Sequence, residues 1–96
     1  MNDAMNDAPR ASTAVIEQRL RDGLQPQHLE VQDDSAHHAG HAGAREGGHY
    51  TVRVVSERFR GLTKVARHRL VYDLLAEQMR RGIHALAIEA KAPGEP

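Results

Sequence analysis

The sequence predicts a small α+β domain, one sheet of three strands backed by helices, on three observations. Two short runs, HLEVQD and HYTVRVVS, alternate apolar and polar residues as half-buried strands do. From Thr63 to about Arg81 the apolar residues instead recur every three or four positions, the period of a helix with one buried face. A third strand-like run, IHALAIEAK, follows the glycine that ends that helix. The order is α-β-β-α-α-β, with a short helical turn before the long helix.

Taken in chain order, residues 1–11 are polar, have nothing to pack, and are expected to be disordered. The doubled MNDA makes Met5 an alternative start to Met1. Ser12 or Thr13 can cap a short helix whose apolar face is Val15, Ile16 and Leu20. Gly23 suits a left-handed exit from it, and Pro26 keeps it from resuming. In the first strand Leu29 and Val31 face one way and Glu30 and Gln32 the other. In the second, Tyr50, Val52 and Val54 oppose Thr51 and Arg53. A long loop joins the two strands, which suggests an antiparallel pair. SERFRG reads as a turn anchored by Phe59. Thr63 can cap the long helix, which buries Leu70, Val71, Leu74, Leu75 and Met79 and carries Arg69, Asp73, Glu77 and Arg81 outward as a ladder of charges. The domain is expected to span 12–92, with 93–96, PGEP, as a flexible tail.

The composition excludes several function classes. Ninety-six residues suit one domain, and 13 basic residues against 13 acidic ones leave no strong overall pull toward nucleic acid or anionic membrane. There is no cysteine, so neither disulfides nor a metal centre built wholly on the chain's own thiolates can form. No apolar run approaches the roughly 18 residues of a membrane span. The acid-bearing start MNDAMNDAPRAS resembles neither a secretory signal nor a transit peptide. A cytoplasmic protein is the expectation. Nothing resembles a serine–histidine–acid set or a phosphate-cradling loop followed by lysine, so no enzymatic activity is expected. Asp33 and Asp34 are adjacent on a strand end, where side chains diverge; a turn role with Ser35 explains them.

The chemistry is concentrated in DDSAHHAGHAGAREGGHY, from Asp33 to Tyr50, which holds four of the seven histidines. Glycine and alanine give this loop little packing of its own, so its histidines are free to meet a metal or simply to be solvated. Three imidazoles with an open position are a zinc arrangement, which makes His37, His38 and His41 one candidate set. His84, just after Gly82, can reach the surface, where it is either a hydrogen-bonding strand-edge residue or a ligand. His49, opening the second strand, is expected to be structural, and His28 is assigned no role.

HLEVQDDSAHHAGHAG, GGHYTVRVVSERFRG and RHRLVYDLLAEQMRRGIHALAIEAKAP together resemble the BolA family, over roughly residues 16–93. The likeness is specific at Asp33 to Ser35, at Val55-Ser56 with Phe59 and Gly61, at Arg67-His68-Arg69 with Val71-Tyr72, and at Ile83-His84-Ala85-Leu86. It implies a class II KH-like fold, a three-stranded mixed sheet with helices packed on one face. It also implies a non-enzymatic partner of monothiol glutaredoxins in handling [2Fe-2S] clusters. In that family the position of His84 is a cluster-ligand candidate, and the second ligand lies in the loop between the first two strands. Counting from the Asp-Ser turn places it at His38, with His41 close enough to compete.

A cysteine-free chain can offer a [2Fe-2S] cluster only nitrogen or oxygen, so the resemblance implies a shared cluster. Two histidines here, a glutaredoxin cysteine and the thiol of glutathione complete four ligands. Two neutral imidazoles in place of two thiolates raise the expected reduction potential, as in Rieske-type centres. Protonating either imidazole removes a ligand, so sharing is expected to weaken toward acid pH.

Nucleic-acid binding is the alternative. From Arg53 to Arg69 there are six basic residues, with Glu57 the one acid among them. Arg58, Lys64, Arg67 and Arg69 are the candidates for phosphate contact, and some BolA relatives are regarded as DNA-binding regulators. Such attraction would be nonspecific and strongly salt-dependent. Gly40-His41-Ala42-Gly43 spells the GxxG by which KH domains clamp a nucleic-acid backbone. It lies in the strand–strand loop, however, whereas the position between the paired helices reads Arg60-Gly61-Leu62-Thr63. RNA clamping is therefore not expected.

Overall fold

Local sequence starts each element. In the computed structural model, which describes residues 10–35 and 47–96, the Ser12 hydroxyl accepts from Val15 N at 3.2 Å and opens helix α1 (Thr13–Leu24). Strands β1 (His28–Asp33) and β2 (Gly48–Val55) follow. A 3₁₀ turn (Glu57–Phe59) leads to α2 (Lys64–Leu74), α3 (Ala76–Arg80) and β3 (Ile83–Lys91). Thr63 caps α2 by accepting from Ala66 N at 3.1 Å. The sheet order is β1-β2-β3, with β1 antiparallel and β3 parallel to β2. This is the expected α+β order with a three-stranded mixed sheet.

The core lies between the helices and one face of the sheet. Ile16, Leu20 and Leu24 from α1 meet Tyr50, Val52 and Val54 from β2, with Phe59, Val71, Leu75 and Ile83 completing it. These side chains are removed from water almost entirely, each by about 1.5–3 kcal/mol relative to exposure. Ser56 is buried among them without loss. Its hydroxyl donates to Leu24 O at 2.6 Å and accepts from Arg58 N at 3.1 Å, and its N–H donates to Lys91 O. One small residue therefore ties the ends of α1, β2 and β3 together. On the opposite face of the sheet, register sets Glu30, Arg53 and Glu89 side by side. Arg53 reaches Glu30 at 3.5 Å and Glu89 at 3.2 Å, a charged stitch across all three strands.

Four expectations are corrected. Gly23 is not the left-handed exit of α1; that residue is Gln25, at φ 45°, whose N–H donates to Arg21 O. Gly23 serves packing instead, since a Cβ there would stand 2.5 Å from a Leu74 methyl. The long helix is interrupted at Leu75 (φ −105°, ψ 19°), although Met79 N still donates to Leu75 O across the break. The interruption accompanies burial of both Leu75 and Gln78. The charge ladder is correspondingly altered, and Glu77 pairs with Arg80 at 2.6 Å. Finally, the last residues are pinned: Glu95 bonds both terminal nitrogens of Arg67 at 2.6 and 2.9 Å and accepts from Ala92 N at 2.9 Å.

Candidate metal-ligand site

Strict alternation along β3 would turn His84 into the core. Leu86, Ile88 and Ala90 pack against the core, so a regular strand would send residue 84 the same way. The pairing is not regular there. Gly48 pairs with Ile83 while His49 pairs with Ala85, so His84 is the extra residue of a β-bulge. Ile83 keeps its buried place, and both His84 and Ala85 are exposed. The bulge thus frees an imidazole that the sheet would otherwise bury.

Glycines make room for this. Gly48 N donates to Gly82 O at 2.6 Å, drawing the start of β2 against the start of β3. A Cβ on Gly47, whose φ is 156°, would lie 3.1 Å from both Gly82 O and His84 Cβ. Across the same corner, Ser35 Oγ accepts from His49 N at 3.0 Å, and Asp34 N donates to His49 O at 2.7 Å. Asp33 Oδ1 caps the turn by accepting from Ser35 N, and Asp34 Oδ2 accepts from Thr51 Oγ1 at 2.6 Å. The two aspartates thus diverge into separate turn bonds, as expected. The points where the histidine-rich segment leaves and rejoins the described structure, Ser35 and Gly47, both flank this corner. His37, His38 and His41 themselves lie outside the described residues.

His49, expected to be structural, opens β2 at the same corner. The His49 ring stands beside that of His84, with centroids 5.3 Å apart and planes at 45°. His49 is half-buried and lines an open depression of about 260 Å³ with Asp34, Thr51 and Ala85. The two histidines are 35 positions apart, and only the parallel pairing of β2 with β3 brings them together.

The basic candidates divide. Arg67 is committed to the fold, donating to Leu62 O at 2.9 Å and Ala90 O at 3.2 Å as well as to Glu95, with its side chain 13% exposed. Its hydrogen bond is the first cause that pulls the Glu95 carboxyl down to about 2, followed by the N–H of Ala92. Arg60 is held by Glu57 and by Pro93 O. Arg58, Lys64 and Arg69 form no ion pair among the described residues and remain exposed.

The profile of the family described as BolA-like protein matches residues 20–95. The chain belongs to the BolA-like family. A Sinorhizobium relative, an uncharacterized protein in the cobS 5' region, is 45% identical over 87 residues, covering 88% of this chain and 94% of that protein. DNA-binding transcriptional regulator BolA of Vibrio cholerae is 50% identical over 74 residues, covering 77% of this chain and 68% of the relative. The solved BolA domain of SufE1 from Arabidopsis thaliana superimposes with a TM-score of 0.79 at 45% identity, over 93% of this chain and all of that one. Mouse BolA1 gives 0.71 at 42% identity, over 90% and 70% of the two chains. This BolA-like chain spans 52% of chloroplastic BOLA1 and 23% of SufE-like protein 1, both from Arabidopsis thaliana. Among the described residues no helix is long and apolar enough to cross a membrane.

Proposed function

We propose that this BolA-like protein is a non-enzymatic partner of a monothiol glutaredoxin, sharing a bridging [2Fe-2S] cluster in iron–sulfur trafficking or iron regulation. His84 supplies one ligand and a loop histidine, His38 before His41, the other; glutaredoxin and glutathione supply the thiolates. The observation that carries the reading is the bulge that turns His84 out at the corner where the histidine-rich segment begins and ends. The donor set fits such a cluster. It offers accessible imidazole nitrogen and no thiolate, so it can complete a centre whose sulfur ligands come from elsewhere. The residues here hold that imidazole at a fixed corner of the sheet. The test is anaerobic reconstitution with a monothiol glutaredoxin and glutathione, followed by visible circular dichroism. A heterodimer spectrum lost in His84→Ala and in one of His38→Ala or His41→Ala supports the reading. A spectrum indifferent to every histidine ends it.

DNA binding is the second reading, favoured by the name of the Vibrio cholerae relative and by the exposed Arg58, Lys64 and Arg69. Internal pairing of Arg53, Arg60 and Arg67 leaves it fewer phosphate contacts than the sequence suggests. It stands second for that reason.

A further inference from the structure

We infer that the outer edge of β3 is the seat of a second copy of this chain, the two β3 strands pairing antiparallel about Ala87 into one continuous sheet. Ser56 N donates to Lys91 O, so Lys91 turns its backbone groups toward β2. The ladder alternates, and Glu89 and Ala87 turn theirs the same way. The N–H and C=O groups of Leu86, Ile88 and Ala90 therefore point away from β2, to the side where no further strand lies. Arg67 reaches from α2 to occupy Ala90 O at 3.2 Å. Nothing among the described residues occupies the N–H and C=O of Leu86 and Ile88.

Exposed edges are ordinarily blunted by charge, proline or a bulge. On β3 such devices stand only at the ends of the open stretch, the bulge at His84 and the Arg67 cap at Ala90. Between them the chain reads Ala85-Leu86-Ala87-Ile88-Glu89, and its midpoint is Ala87. An open stretch bounded in this way fits its own copy. Turned antiparallel about Ala87, Leu86 of each copy lies opposite Ile88 of the other, and each such pair exchanges both N–H···O bonds. Every free edge group is then satisfied. Ala87 meets its counterpart on the two-fold axis, where exposed methyl groups permit the close approach of a non-hydrogen-bonded pair. Charge agrees with this register. Glu89 lies opposite Ala85 and one position from His84 of the second copy, so no like charges meet. A formal net charge of zero gives two copies no long-range repulsion. Beside the same edge α2 leaves Tyr72 exposed and Val65 66% exposed. His68 borders both that stripe and the groove along Ile88 and Ala90, so an added strand and its helix cover apolar surface as well. The contact is isologous and closes at two chains.

The experiment is sedimentation equilibrium of the full chain, without metal or glutaredoxin, so that its failure is separate from that of the cluster reading. A reversible monomer–dimer equilibrium is expected. Ala87→Lys and Ala87→Glu each set like charges face to face on the axis, and each alone should self-associate at least about fivefold more weakly. An equimolar mixture of the two should restore dimers, a rescue that damage to the fold could not produce. A chain that stays monomeric up to its solubility limit, association indifferent to both substitutions, or variants that mixing does not rescue would each overturn the inference. Amide hydrogen exchange of the unsubstituted chain gives a second readout. The Leu86 and Ile88 amides should slow as concentration rises, while those of Ala87 and Glu89, already bonded to β2, should not change. Edge amides that exchange at the same rate at every concentration would leave the edge to some other chain and overturn it equally.

Discussion

Gly47 and His84 meet with almost no space between them: a Cβ on Gly47 would lie 3.1 Å from His84 Cβ and 3.2 Å from His84 N. A side chain at position 47 would require His84 or the Gly82 carbonyl to give by a few tenths of an ångström. Gly47→Ala is accordingly expected to destabilise the fold by at least about 1 kcal/mol, because φ of 156° is strained for an L side chain as well as crowded. Urea unfolding checks the magnitude. A neutral result would mean that β2 and β3 separate freely at this corner.

Arg67 and Glu95 give a prediction in pH. The Glu95 carboxyl is lowered from 4.5 to about 2 in the folded chain, so folding favours its charged form. Its contribution is fully present above the unfolded value, near 4.5, and is lost as pH falls through about 2. Wild type should therefore be more stable than Glu95→Gln at neutral pH. The difference should shrink between about pH 4.5 and pH 2 in thermal melts. A gap constant across that window would show that the charge is not what holds the tail.

Ser56 should be sensitive out of proportion to its size. Ser56→Ala leaves Leu24 O and Arg58 N without the buried hydroxyl that serves both, an expected cost of about 1–3 kcal/mol. Chemical denaturation measures it. A loss near zero would require that water reaches both groups.

These cases mark how far the sequence can be read. The strands were legible because alternation in HLEVQD and HYTVRVVS reports which face is wet, and the caps at Ser12 and Thr63 because a cap is a local hydrogen bond. Features set by distant partners were not legible. Gly23 resembles a helix exit, and only the proximity of Leu74 shows that it is a packing contact. PGEP looks like a loose end until Glu95 finds Arg67, 28 residues away. The bulge leaves no trace in IHALAIEAK, whose alternation alone would bury His84. The proximity of the His49 and His84 rings is likewise invisible in the sequence, because the pairing of β2 with β3 creates it. His84 is a ligand candidate through the resemblance to BolA proteins, and the structure shows it exposed at the bulge.

The division among the basic residues can be tested on DNA. Should a duplex be bound, replacing Arg58, Lys64 or Arg69 by alanine should reduce the slope of log affinity against log salt by about 1 each. Arg67→Ala should lower thermal stability and leave that slope nearly unchanged, because its guanidinium is already held by Glu95, Leu62 O and Ala90 O. A slope that falls with Arg67 and not with Lys64 would reverse the assignment.

The proposed role is to supply imidazole nitrogen to a cluster whose sulfur ligands come from a glutaredoxin and glutathione. It is tested most directly by pulsed electron paramagnetic resonance on the reduced heterodimer, with ¹⁵N-histidine incorporated only into this chain. Two strongly coupled histidine nitrogens are expected in the wild type and one fewer in His84→Ala. A reduced cluster with no histidine nitrogen coupling, ligated by thiolates alone, would contradict it.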